Sequence, residues 1–321
     1  MAKLNNKITH VLNESRMLVL GAQVVFGLQF RSFLEPGFDK LPFPTQLLKL
    51  GGLGLLIIAV GLLISPSSYH RIVERGEDTH DLHRYASKVL MWAMLPFALG
   101  LGVDVFVATE KVFSRWLGAA AALLAVVVAV SFWYGLEFYR KRERAGEIAE
   151  EKRKSDEEEE RERREKEEKG EPMTQLSDKI KHVLTEARVV LPGAQALLGF
   201  QFVAVLTDGF EKLPQISKYV HLASLGLIAL TIVLLMTPAA YHRIVERGEE
   251  TEHFHRFASK MVVAALVPLA LGVCGDVYVV AQKVTESQLV AIVFALAALA
   301  LFWELWFGLT LYRRTQREYA H

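Results

Sequence analysis

The most constraining feature of this 321-residue chain is an internal repeat. His10-Val11-Leu12 recurs 172 residues later as His182-Val183-Leu184, and the run from Tyr69 to Glu77 returns unchanged from Tyr241 to Glu249. The spacing holds without a gap for about a hundred residues, after which one insertion shifts it by a single position. We interpret the chain as two fused copies of one ancestral unit, so each half is predicted to be a complete structural unit.

Hydrophobic residues make up 52% of the chain and the mean hydropathy is +0.24, which is too apolar for a typical soluble protein. Within the first half, the apolar stretches have about the 20 residues that cross a bilayer as a helix. The repeat therefore predicts an all-α integral membrane protein with two tandem four-helix repeats and eight crossings. The first-half stretches are 17–34, 46–64, 89–108 and 117–139.

Charge is concentrated between the halves, where residues 140–172 hold 12 basic and 14 acidic side chains. Both signs alternate there without an apolar face, which is typical of a solvated helix or a disordered tether. We predict a first repeat at 1–139, a charged cytoplasmic linker at 140–175 and a second repeat at 176–321. The rest of the chain lacks the clustered basic surface that nucleic acids require, so the lipid bilayer is the expected partner.

The loops after the second crossing of each half carry four basic residues each, and the positive-inside rule places such loops in the cytoplasm. Four crossings per half put both loops on the same side, together with both termini. The two repeats would then run parallel, related by an axis along the membrane normal. Ahead of each first crossing, Leu4, Ile8 and Leu12 form an apolar stripe that predicts a short amphipathic helix on the inner surface.

Two acidic residues fall inside predicted crossings, where an ionisable side chain is costly and is by default a functional hypothesis. Asp104 follows Pro96 and Gly100 at four-residue spacing on one helix face, and Asp276 repeats the pattern. Each acid is a candidate cation or proton site. The structural alternative is that Asp104, near the outer end, only pairs with Lys111 or caps a loop.

Other polar positions join this hypothesis. Gln23 and its counterpart Gln195 lie on a helix face that suits either a polar path or packing between helices. Glu304 lies inside the last crossing, where the first half has Ser131, so its side chain is expected to face protein or water. Cys274 is the one cysteine, which excludes an intramolecular disulfide and a cysteine metal cluster.

The loop after the second crossing concentrates histidine and carboxylate in both halves. If that crossing continues as helix, His70, Glu74 and Glu77 share one face. These side chains are ordinary zinc or iron ligands, although neighbouring arginines offer the carboxylates ion pairs instead, and histidine also suits a pH-sensing gate. The residues concerned are His70, Glu74, Glu77, His83, His242, Glu246, Glu249 and His255.

The phrases ESRMLVLGAQVVFGLQF and YHRIVERGEDTHDLHR, with their second copies, resemble an uncharacterised family of small bacterial four-helix membrane proteins. The resemblance covers both halves but not the linker. It implies that a single four-crossing unit is the usual member, that this chain is a fused pair, and that it resides in the bacterial cytoplasmic membrane.

Together these patterns favour an ion or proton-coupled transporter or channel rather than an enzyme, with no required cofactor. Asp104, Asp276, Gln23, Gln195 and Glu304 would form the pathway, and the histidine loops the gate. One alternative is a non-transporting membrane scaffold. The other is a membrane metalloprotein that binds zinc or iron at the histidine loops. The duplication predicts a pseudo-dimer of the two halves and leaves a higher homo-oligomer open.

Overall fold

In a computed structural model, residues 2–135, 175–247 and 249–319 are described, and all of their regular structure is helical. Eight helices among them are long and apolar enough to cross a membrane, which confirms the predicted number of candidate crossings. The predicted linker lies outside the described residues except for Gln175.

The first half contributes α1 (Ala2–Ser32), α2 (Phe43–Ile72), α3 (His80–Val112) and α4 (Arg115–Val130), which ends in a π-turn at Ser131–Gly135. The second half contributes α5 (Leu176–Ala204), a four-residue helix (Asp208–Glu211), α6 (Gln215–Ile244), α7 (Glu252–Thr285) and α8 (Gln288–Trp303). A π-turn at Glu304–Gly308 leads from α8 into the last helix, Leu309–Tyr319.

The helix ends follow from local sequence that both halves share. Pro42 and Pro214 stand just before α2 and α6, where the missing amide hydrogen and fixed φ of proline suit a helix start. The hydroxyls of Thr79 and Thr251 accept hydrogen bonds from backbone amides in the first turns of α3 and α7. At the opposite end of α2, Gly76 adopts a φ of +86°, which lets the chain reverse into α3.

The predicted amphipathic helix at the N-terminus is not separate. Residues 2–32 form one continuous helix, and Ile8 and Leu12 are buried against Tyr69, Val73 and Tyr85 of the first half. The apolar stripe is therefore covered by protein rather than lying on a membrane surface. The same continuity in α5 carries His182 and Glu186 into the contact between the halves.

The two halves share one hydrophobic core, and α1 and α5 pack side by side along it. Their contacts run in the same direction: Thr9 lies against His182 near one end, and Gly27 lies against Phe200 near the other. The aromatic ring of Trp306 reaches across the halves to donate a hydrogen bond of 2.9 Å to the carbonyl oxygen of Gly61. Polar clusters occupy opposite ends of this bundle.

Candidate functional site

Near the ends of α1 and α5, each predicted acid is held by a glutamine. Gln29 Nε2 donates to Asp104 Oδ1 at 3.0 Å, and Gln201 Nε2 donates to Asp276 Oδ2 at 2.7 Å. These glutamines are equivalent in the repeat, so the two halves build the same acid site. Asp104 is not paired with Lys111 in this structure, because the cation beside it comes from α2.

That cation is the main difference between the two acid sites. Lys49 Nζ lies 3.8 Å from Asp104 Oδ1, and the equivalent position in the second half is His221, whose Nδ1 lies 3.5 Å from Asp276 Oδ1. An ammonium group supplies a fixed positive charge, whereas an imidazole supplies one only when it is protonated. The first site therefore pairs an ammonium with its carboxylate, and the second pairs an imidazole with its carboxylate.

The surroundings of His221 fix which ring nitrogen faces the acid. His221 Nε2 lies 3.1 Å from the carbonyl oxygen of Gln201, which can only accept, so Nε2 carries a hydrogen. Nδ1 and Asp276 Oδ1 then face each other without hydrogen-bond partners, and both side chains are buried. Phe30 of the first half stacks on the imidazole at 5.7 Å and closes the site.

One proton between His221 Nδ1 and Asp276 Oδ1 would satisfy both atoms. With the proton bound the pair is neutral overall, and after it leaves a neutral imidazole remains beside a carboxylate. Lys49, whose ammonium already carries its protons, forms the same overall neutral pair with Asp104. The two halves thus differ in the group that faces the acid, an ammonium in the first and an imidazole in the second.

A cavity of about 790 Å³ opens at the same end of the bundle, between the two halves. Its lining includes Gln282 of α7, which lies six residues beyond Asp276 and therefore about 9 Å farther along the helix axis. The Gln282 side chain is buried, and its Oε1 lacks a hydrogen-bond partner. The cavity and the second acid site therefore lie along the same helix, α7.

The remaining predicted pathway residues are not close to the acids. Gln23 is buried between α1 and α5, where it packs against Gly193, and its equivalent Gln195 is exposed. Glu304 is exposed at the start of the π-turn after α8, where it is the one charged residue lining a 460 Å³ apolar pocket with Trp303 and Phe307. The structure therefore places these three side chains apart from the acid sites.

At the other end of the bundle, the predicted histidine loop of the first half meets α5 of the second half. The α2 helix ends at Ile72, so Glu74 and Glu77 lie in the following turn and do not share a helix face with His70. His70 contacts Glu186 instead, and Lys179 Nζ lies 2.5 Å from Glu77 Oε1. The carboxylates of this loop thus find partners across the interface between the halves.

We call His70, Arg71, Asp78, His182 and Glu186 the interhalf cluster. Arg71 donates two hydrogen bonds to Glu186, from Nε to Oε2 and from Nη2 to Oε1 at 2.9 Å. His70 Nδ1 lies 2.5 Å from Glu186 Oε1, and because a carboxylate only accepts, this nitrogen carries the hydrogen. Glu186 is fully buried, so its negative charge is matched by the arginine within the protein.

Three side chains of this cluster present ligand atoms to one point. His70, Asp78 and His182 each offer one such atom, and these atoms lie within 4.8 Å of one another. His70 Nε2 is buried without a hydrogen-bond partner, and His182 Nδ1 lies 3.1 Å from Asp78 Oδ1. Two imidazoles and a carboxylate are a common ligand set for zinc or iron, and the Glu186 contact orients His70 as carboxylates orient metal-bound histidines.

The other predicted gate residues do not belong to the group of three possible metal ligands. His255 Nε2 lies 3.2 Å from Arg71 Nη1, and Glu74 is buried in the turn beside the cluster. In the second half, Glu246 lies 3.3 Å from His253 Nδ1. His83 and His242 are partly buried, and Glu249 is exposed.

Several residues of these sites did not stand out in the sequence, although the repeat carried a signal for each. Lys49 and His221 are both basic, at equivalent positions inside predicted crossings. Asp78 and Glu250 are both acidic, and His10 and His182 are identical. Comparing residue types as well as identities between the copies would have selected these positions.

Residues 1–137 and again residues 170–310 match DUF6328, a family of unknown function. The search of curated proteins and the search of solved structures each returned no match.

Proposed function

The chain belongs to DUF6328, a family of unknown function, and from the geometry of its acid sites we propose that it is an integral membrane protein that conducts or exchanges protons. The two halves would cross the membrane as parallel repeats of four helices. Their basic histidine loops would face the cytoplasm, and the acid sites would lie toward the outer side. A bacterial cytoplasmic membrane suits this orientation.

The observation that supports proton handling is the buried pair of His221 and Asp276. Their facing atoms lie 3.5 Å apart, and a single proton between them would satisfy both. A side chain that ionises inside a membrane protein marks a proton relay or an ion pathway more often than a packing role. The equivalent pair in the first half has the ammonium of Lys49 in place of the imidazole, so the two sites are expected to behave differently.

Proton flux into liposomes that contain the purified full-length protein and a trapped pH dye tests this proposal. We expect Asp276→Asn to lower the flux at least about tenfold, because the amide cannot share the proton with His221. His221→Lys should lower it as strongly, because it copies the fixed pair of the first half. Asp104→Asn should have a smaller effect, since the Asp104 carboxylate faces the ammonium of Lys49 rather than an imidazole.

Asp208→Asn, an exposed position on the same side of the bundle, is the matched control and should leave the flux unchanged. Flux that is equal in Asp276→Asn and the wild type would refute the proton site. Absence of flux in inserted wild-type protein under proton, sodium, potassium and chloride gradients would favour the scaffold alternative. A flux that responds to sodium alone would assign the acid to a metal cation instead.

A second candidate function is metal binding at the interhalf cluster. It is favoured by the buried His70 Nε2, which lacks a hydrogen-bond partner, and by the ligand atoms of His182 and Asp78, which lie within 4.8 Å of it. Purification without a histidine tag, loading with zinc or ferrous iron, and dialysis should leave an ion bound at this cluster. His182→Ala should abolish that retained metal, because it removes one of only three ligands.

The exposed His253 provides the control for this measurement, and His253→Ala should retain metal as the wild type does. Metal retention that is absent from the wild type, or that is unchanged by His182→Ala, would exclude the cluster as a metal site. In that case its role reduces to joining the two halves.

A further inference from the structure

The contact between the halves is one-sided. In the most hydrophobic stretch of each helix, 61% of the residues of α2 are buried, compared with 28% in its equivalent α6. The order is reversed for the next helix, with 28% of the residues buried in α3 and 72% in its equivalent α7. A two-fold symmetric contact would bury equivalent helices equally. The first half therefore uses one of its surfaces and the second half uses a different one, which defines a heterologous, head-to-tail contact.

Single residues on α1 and α5 show the same asymmetry. Gln23 is buried against Gly193, and a Cβ at Gly193 would lie only 2.8 Å from the Gln23 Cβ. The equivalent pair is Gln195 and Gly21. Gln195 is exposed, and no described atom outside the local helix lies within 4 Å of where a Gly21 Cβ would be. The surfaces around Gln195 and Gly21, which would form a second copy of this contact, are therefore both uncovered in the single chain.

The charged end of the bundle repeats the pattern. Glu186 of α5 is buried and accepts hydrogen bonds from Arg71 of the first half. Their equivalents, Glu14 of α1 and Arg243 in the last turn of α6, are both exposed. The sequence repeats all five residues of the interhalf cluster, and only Asp78 changes, to Glu250. The repeated residues are His10, Glu14, His242, Arg243 and Glu250.

We propose that a second copy of this chain docks head-to-tail and closes these open surfaces. Its Glu14 and His10 would meet Arg243, His242 and Glu250 of the first copy, which completes a second interhalf cluster between chains. Because a heterologous contact is not a two-fold, a closed ring needs at least three halves. Each chain contributes two, so the smallest ring is four halves, formed by two chains that make two identical new contacts.

Charge and solvation both favour this occupant. Arg243 and Glu14 carry opposite charges at the positions that form a buried bidentate pair inside the chain. Gln195 is an exposed amide in the apolar α5 helix, where facing lipid would cost free energy, and a partner's α1 would cover it. The new contact would differ in detail, because Val233 stands at the position of Gly61, where a Cβ would lie 3.0 Å from Leu305 Cδ1.

The mass of the full-length protein in detergent, measured by light scattering, tests the assembly. The wild type is expected at twice the 36.0 kDa chain mass. Glu14→Arg and Arg243→Glu each place like charges at both new contacts. Each variant should raise the dissociation constant of the dimer by about 30-fold or more, the effect of breaking a buried charge pair. Both positions are exposed in the single chain, so the fold should remain intact.

A mixture of the two variants provides the most direct test of the proposed contact. A dimer of one Glu14→Arg chain and one Arg243→Glu chain has a native pair at one contact and a swapped pair at the other, so dimers should return. Asp208→Asn, exposed and outside these surfaces, should dimerise as the wild type does.

Three results would overturn the proposal: a wild type that is monomeric, single variants that dimerise as strongly as the wild type, or a mixture that fails to recover dimers. The assembly does not depend on proton flux or metal binding, because the mass measurement requires neither.

Discussion

Glu186→Gln is expected to lower the free energy of unfolding by about 3–5 kcal/mol, the cost of leaving a buried charge without its partner. Arg71 is buried at this site and points two nitrogens at the Glu186 carboxylate. A glutamine keeps the shape but removes the charge and turns one acceptor into a donor. His70 Nδ1 then competes with Arg71 for the single remaining acceptor oxygen.

Unfolding in mixed micelles, followed by tryptophan fluorescence, measures this loss. The matched control is Asp178→Asn on the same helix, where the carboxylate pairs with the exposed Lys181 at 3.3 Å. Surface pairs contribute about 0–1 kcal/mol, so the control should unfold nearly as the wild type does. The double variant Arg71→Met/Glu186→Leu should lose less than Glu186→Gln, because neither charge is left buried alone. A loss for Glu186→Gln no larger than that of the control would show that the pair does not hold the halves together.

The sequence was sufficient for the helices and for the acids. Apolar stretches of crossing length and the repeated loop motifs predicted eight candidate crossings, because helix length and polarity are local properties. Asp104 and Asp276 were found because an acid among apolar residues stands out in any single helix. These features require no knowledge of which helices touch.

The partners of those acids were not predicted, because they depend on packing between helices. Gln29 was not among the predicted site residues, yet its side-chain amide donates a hydrogen bond to Asp104. Gln23 was chosen for the pathway from the spacing along α1, but the face it occupies packs against Gly193 of the other half. Helix periodicity shows which residues share a face and leaves open what that face meets.

Only part of the interhalf cluster was predicted from the sequence, for a similar reason. His70 was selected from its loop, whereas neither Glu186 nor its copy Glu14 was among the predicted site residues. The two glutamates are identical in sequence and differ completely in burial. That difference arises from the one-sided contact between the halves, which no property of either copy alone encodes.

The second large effect is expected at the opposite end of the bundle, where Gly209 contacts the first half. A Cβ at this position would lie 2.0 Å from the carbonyl oxygen of Leu34 and 2.9 Å from its Cα. Backbone atoms at the end of α1 cannot rotate away as a side chain can. Gly209→Ala should therefore force the halves apart and lower the free energy of unfolding by about 3 kcal/mol, the upper end for overpacking.

Gly37 is the matched control, because it occupies the same position in the repeat. A Cβ there would meet only Lys111 Nζ at 2.6 Å, the mobile end of a long side chain. Gly37→Ala should change stability by less than about 0.5 kcal/mol. Both variants are best compared in the Arg243→Glu background, so that association of two copies does not enter the measurement. Equal losses at the two positions would contradict the one-sided contact, because a symmetric arrangement would press both glycines against the other half alike.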